Sequence, residues 1–196
     1  KYQRIKEALN SVNLESEVAN LYPHELSGGM KQRVCIAMAT ILSPKLIIAD
    51  EPTSALDVVV QMQVFETLEE LRQKIGASVL IVGHDMGVMA QFTDKIGVMY
   101  AGELVEFNDT AGIFNSPLHP YTARLIKSLP SIDNRGDLVG IPGIPPSLSE
   151  PIIGCSFAAR CSVKLDLCDS LKPDYVLNDS GHYVACHLVS NGLSKP

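Results

Sequence analysis

Apolar residues near the start of the chain recur at helical spacing, with Ile5, Leu9 and Val12 on one face. The same period returns after Ser27. There Gly28-Gly29-Met30-Lys31-Gln32-Arg33 opens a proline-free stretch that carries Val34, Met38 and Ile41/Leu42. A helix over 28–42 is predicted, with Ser27 as its N-cap. Residues 46–50, Leu-Ile-Ile-Ala-Asp, form a short apolar run rich in β-branched side chains. That composition predicts a strand buried on both faces of a parallel sheet. Helical period resumes over 58–75 with Val60, Val64, Leu68, Leu71 and Ile75, and Gly76 is its stop. A second apolar strand over 78–82 completes a right-handed strand–helix–strand crossover. A short helix over 85–92 follows, then strands over 95–100 and 103–107 around a tight Ala101-Gly102 turn. Beyond 108 the pattern is less regular. Helices are expected over 109–115 and 121–128, and Gly140-Ile-Pro-Gly-Ile-Pro-Pro146 reads as a linker or surface wrap. The fold class is α/β, a parallel sheet with flanking helices plus an irregular C-terminal extension.

Candidate chemistry concentrates at the carboxyl edge of the two parallel strands. A Ser-Gly-Gly turn opening a helix presents free N–H groups and the positive end of the helix dipole, which suit a phosphate. Asp50 and Glu51 are adjacent acids at the end of a buried strand. Such a pair is costly unless a cation or a reacting water sits there. The crossover brings His84, just past the second strand, to the same edge as Glu51. Together these features point to nucleoside triphosphate chemistry.

Residues 24–107 resemble the second half of an ABC transporter nucleotide-binding domain. Leu26-Ser27-Gly28-Gly29-Met30 resembles the family signature, with methionine where glutamine is commoner. Leu46-Ile-Ile-Ala-Asp50 is similar to the Walker B strand, Glu51 to the acid that polarises the hydrolytic water, Ser54-Ala-Leu-Asp57 to the D-loop and His84 to the switch histidine. Gly83 stands where threonine or serine often precedes that histidine. The resemblance implies ATP and Mg²⁺ as ligands, Glu51 and His84 as catalytic residues, and Ser27, Gly28, Gly29, Asp50 and Asp57 as nucleotide-site residues. Asp50 would hold Mg²⁺ through water. A P-loop reads G-x-x-x-x-G-K-[ST], and no Gly-Lys pair occurs in the 196 residues. The chain therefore reads as a partial P-loop NTPase domain whose N-terminal half lies outside it. Alone, it is expected to hydrolyse ATP negligibly, because it holds only the half-site the family presents in trans. The expected division is 1–108 for the ATPase part and 109–196 for the extension.

Ser116-Pro-Leu-His-Pro-Tyr-Thr122 resembles the C-terminal extension of oligopeptide and dipeptide transporter ATPases, a branch that includes nickel importers. Cys155, Cys161, Cys168 and Cys186 cluster after it, while Cys35 is expected to be a small buried apolar residue of the signature helix. Four soft thiolates suggest metal. No C-x2-4-C knuckle of the zinc type is present, and the wide spacing suits a [4Fe–4S] cluster, which relatives with this extension often carry. Zinc and unligated thiols remain alternatives, and His182 and His187 are expected to be solvated. A net charge of −6 and a pI near 5.3 argue against a nucleic-acid partner. No apolar run approaches the roughly 18 residues that span a bilayer, so attachment to the cytoplasmic face of the membrane would be peripheral. The implied partners are a second ABC ATPase subunit, permease subunits and, indirectly, a substrate-binding protein. The rival readings are a soluble non-transport ABC ATPase and an iron–sulfur sensor or structural module on an ATPase scaffold.

Overall fold

A computed structural model describes residues 2–54, 56–129, 140–178, 181–190 and 192. The chain divides into two compact units, Lys1–His84 and Asp85–Pro196.

In the first unit, α1 (Tyr2–Asn10) buries Leu9, and Val12, Leu14 and Val18 continue its apolar face through a 3-10 turn at Ser16–Asn20. These residues pack with Ala37 of α2 (Gly28–Thr40) and Leu71 of α3 (Val58–Ile75). Between the two long helices lies β1 (Leu46–Asp50), hydrogen-bonded in parallel to β2 (Ser78–Val82) with Leu46 opposite Ser78 and Asp50 opposite Val82. The core under this pair is Ile47, Leu68 and Ala77. Helix α3 ends as predicted: Gly76 takes φ 66°, the left-handed conformation that glycine adopts without strain, and its N–H donates to Arg72 O.

Two expectations fail here. The strands bury one face rather than both. Leu46, Ile48, Leu80 and Val82 are exposed, because alternate residues point away from α3 and no described residue covers them. In α2 the inward face is Ala37 and Thr40 with Met30, Val34 and Ile36 beside them, so Met38, Leu42 and Cys35 are exposed. The predicted stripe was offset around the helix, and the expectation of a buried Cys35 is corrected.

The second unit opens with α4 (Met86–Phe92), capped by Asp85 Oδ1, which accepts the N–H groups of Gly87 and Val88. Then β3 (Lys95–Tyr100) and β4 (Glu103–Asp109) form an antiparallel hairpin through Ala101 and Gly102, both at positive φ. Helices α5 (Thr110–Asn115) and α6 (Pro120–Lys127) follow, capped by Asp109 and His119. Beyond the loop at 140–146, β5 (Tyr175–Leu177) and β6 (Tyr183–Ala185) were not legible in the sequence pattern. They extend the hairpin into a four-stranded sheet of order β3-β4-β6-β5. The loop is a wrap held in place: the Arg160 guanidinium donates to Ile141 O and Pro142 O and to the Tyr100 hydroxyl. Tyr100, Phe157, Ile113, Ile96, Val98 and Val105 form the core of this unit. No helix among the described residues is long and apolar enough to cross a membrane.

Candidate active site

Ser27 sits in extended conformation and its Oγ accepts the Met30 N–H at 3.3 Å, so it caps α2 as its sequence position suggested. Gly28 is exposed and Gly29 half-buried, so the turn faces solvent rather than the core of the unit. Parallel pairing places the acidic residues. Asp50 is the last residue of β1, opposite Val82 at the end of β2. Glu51 takes φ 42°, and its N–H donates to Val82 O at 2.9 Å. A non-glycine residue in the left-handed region costs of order 1 kcal/mol, and such strain gathers at sites where a side chain must be aimed. Here the turn sends the carboxylate toward the neighbouring strand. His84 Nδ1 lies 3.2 Å from Glu51 Oε1, with both side chains open to solvent, 85% and 53% exposed. Asp57 caps α3: its Oδ1 accepts the Val60 N–H at 3.0 Å. The structure therefore brings Glu51 and His84 together and leaves both accessible. An imidazole and a carboxylate so arranged can share a water molecule, orient it and take its proton.

In the second unit the cysteines converge. Cys155 N–H donates to Cys168 O at 2.8 Å. That approach requires Gly154, which has φ 75° and whose Cβ, if present, would meet Cys168 O. No disulfide joins the thiols. Burial pushes the Cys155 thiol up to about 11, with further upward pushes from Cys168, Cys186 and Cys161. The thiols of Cys161 and Cys186 are also raised, chiefly by burial. Among the described residues, no group of three or more His, Cys, Asp or Glu side chains is arranged to hold a single metal ion.

Sequence reasoning missed a buried polar knot beside them. Glu106 in β4 is wholly buried and accepts the N–H groups of Leu118, at 2.6 Å, and His119, at 3.0 Å. His182 Nε2 stands 2.7 Å from Glu106 Oε1, off the line of a directed hydrogen bond. The cause is a β-bulge. Val98 pairs with Glu106 and Met99 with Leu104, so Val105 and Glu106 both turn inward where strict alternation would leave the acid outside. His182 and His187 are buried, not solvated as expected, and His187 Nε2 contacts Leu171 O at 2.8 Å. The His119 ring accepts the Tyr121 N–H through Nδ1, and burial pushes it down to about 4.

Residues 1–54 match the ABC transporter family, and residues 105–168 match the family described as oligopeptide/dipeptide transporter, C-terminal region. The dipeptide transport ATP-binding protein DppD of Caldanaerobacter subterraneus is 45% identical over 97% of this chain, which spans 59% of that protein. DppD of Escherichia coli is 41% identical over 99% of the chain, here 60% of the relative. The oligopeptide transport ATP-binding protein AppF of Bacillus subtilis is 41% identical over 96%, or 58% of its own length. The chain thus spans less than two thirds of these relatives. A dimeric ATP-binding cassette, MJ0796, bound to ADP and phosphate, aligns with 55% of this chain and 46% of its own at 36% identity and a TM-score of 0.48.

Proposed function

The chain belongs to the ATP-binding proteins of the ABC transporter family, and from that membership we propose that it is the C-terminal part of the subunit that powers a peptide importer. In this reading Glu51 orients the attacking water and accepts its proton, and His84 contacts the terminal phosphate and holds the Glu51 carboxylate in place. The observation that carries the proposal is the 3.2 Å approach of these two side chains at the carboxyl edge of a parallel strand pair. Ser27, Gly28 and Gly29 clamp the γ-phosphate of ATP bound to a second ATPase subunit, and Asp57 lies at the same interface. Asp50, exposed where the strand ends, suits Mg²⁺ held through water. Closure of two such subunits excludes water and completes the site, and the same movement is passed to the permeases.

In the full-length protein, Glu51→Gln should cut ATP turnover by at least about a thousandfold while ATP-dependent dimerisation persists. Turnover within twofold of wild type would remove Glu51 from this role.

The functional division we assign is 1–108 for the ATPase part and 109–196 for the extension. It is supported by the order of the ATP-site residues before 108 and by the family match that begins at 105. Dipeptides or oligopeptides are the proposed cargo, delivered by a substrate-binding protein to permeases that this subunit docks against on the cytoplasmic face of the membrane. Relatives named for dipeptide and for oligopeptide transport support that range.

For the extension we assign Cys155, Cys161, Cys168 and Cys186 as ligands of a [4Fe–4S] cluster, with zinc as the alternative. Support comes from four thiols that bear on one another electrostatically without forming disulfides. Their wide spacing along the chain suits a larger inorganic core. Such a core would tie the loops that carry 155, 161 and 168 to the strand before 186. Purification without oxygen should give about four irons per chain and broad absorption near 400 nm. Stoichiometric zinc with no iron would decide for the alternative.

A further inference from the structure

The two glycines that open α2 have ordinary backbone angles, so the main chain does not demand glycine there. Space does. A Cβ at position 29 would stand 2.7 Å from Val60 Cγ1, and one at position 28 would stand 3.0 Å from Leu56 Cδ2. Non-bonded carbons settle at about 3.5–4.0 Å, so either methyl would force a movement. Both neighbours belong to the segment that follows the acidic strand end. Leu56 directly precedes the helix cap Asp57, and Val60 sits in the first turn of α3 with its N–H held by that cap. A second tie lies one turn further along both helices, where Arg33 Nη2 donates to Gln63 Oε1 at 3.1 Å.

We propose that Val60, with Leu56, is a positioning residue for ATP turnover: a wedge that sets where the Ser27–Gly29 turn presents its N–H groups. The start of α3 and the turn that clamps phosphate then move as one body, so a shift of the segment after Glu51 is delivered to the clamp through contact. The inference rests on the proposed function and adds to it the parts of this chain that hold the clamp in register. Val60 is the stiffer half of the wedge. A β-branched side chain in a helix has one strongly preferred χ1, so it cannot swing away from an added methyl. Leu56 can yield at χ2. Position 29 is therefore the demanding one and position 28 the more tolerant.

The test is steady-state ATP turnover by the full-length transporter, with kcat and KM measured separately. A methyl at 29 pushes the first turn of α2 by about 1 Å to restore normal contact. A displacement of that size costs on the order of 100-fold in rate. Gly29→Ala should lower kcat by about that factor and leave the KM for ATP within about threefold, since the clamp acts on nucleotide already bound by the partner. Gly28→Ala should lose less. Adding Val60→Ala to Gly29→Ala should recover at least about tenfold of the loss, a rescue that general loss of structure would not produce. Glu51→Gln is run alongside. If it leaves turnover intact, the reading of Glu51 as the group that activates the attacking water fails. If it abolishes turnover and the double variant is no faster than Gly29→Ala, the wedge is overturned and that reading stands. Should Gly29→Ala prove insoluble, Val60→Ala is compared with Val60→Thr, which keeps the shape at Cβ. The alanine variant should lose more kcat than the threonine variant, and equal values overturn the inference.

Discussion

Single residues decide most where a charge or a bond is buried without an alternative, and Glu106 is the clearest case. Its carboxylate satisfies two backbone N–H groups of the Leu118–His119 turn and faces His182 across the sheet. Removing an acceptor leaves a buried N–H group unpaired, at a cost of about 1–3 kcal/mol for each such group. Glu106→Ala should lower the urea midpoint accordingly, and Glu106→Gln, which keeps one acceptor, should lose less. His119 makes a pH prediction. Free imidazole titrates near 6.5, and burial in the fold holds this ring near 4. Between those values the unfolded chain binds the extra proton. Stability is therefore full above pH 6.5 and falls as the pH drops toward 4, by up to about 3 kcal/mol. His119→Asn keeps a side-chain acceptor for the Tyr121 N–H and does not titrate, so denaturation at pH 7 and pH 4.5 should show a smaller difference for the variant than for wild type. Identical differences would assign the acid sensitivity to other groups.

Elements were legible in proportion to how much of their cause is local. Helix α3 has its cap in Asp57, its stripe in Val64, Leu68 and Leu71, and its stop in Gly76, all within one segment, and its bounds were read correctly. Local causes carry local costs. Asp57→Ala should destabilise the protein by about 1 kcal/mol through the lost cap. Gly76→Ala should cost about 1–2 kcal/mol by forcing a Cβ into the left-handed conformation. Both are read from urea unfolding at neutral pH. Helix α2 was located as well, but its inward face was not. Whether Ala37 or Met38 turns inward depends on where α1 and α3 lie, and spacing within α2 carries no record of that. Strands β5 and β6 are too short for a periodic signal: β6 exists because β4 offers an edge to pair with, and β5 because β6 offers the next.

At the scale of the molecule, the prediction concerns what this chain does unaided. Purified 1–196 should hydrolyse ATP at less than about 1% of the full-length rate, because its sequence contains no Gly-Lys pair of a phosphate-cradling P-loop. Turnover by the chain alone at a comparable rate would overturn the half-site reading. By itself the sequence determined the order of Ser27-Gly28-Gly29, Asp50-Glu51 and His84, the elements that carry them, and the parallel crossover that sets Glu51 beside His84. These follow from caps, apolar periodicity and chain connectivity, which are properties of neighbours along the chain. Only the tertiary structure decided that Gly28 and Gly29 lie close against Leu56 and Val60, that a bulge turns Glu106 inward, and that His182 and His187 are buried. Each of those depends on which surfaces meet in space, and close packing between distant segments leaves no periodic mark on either one.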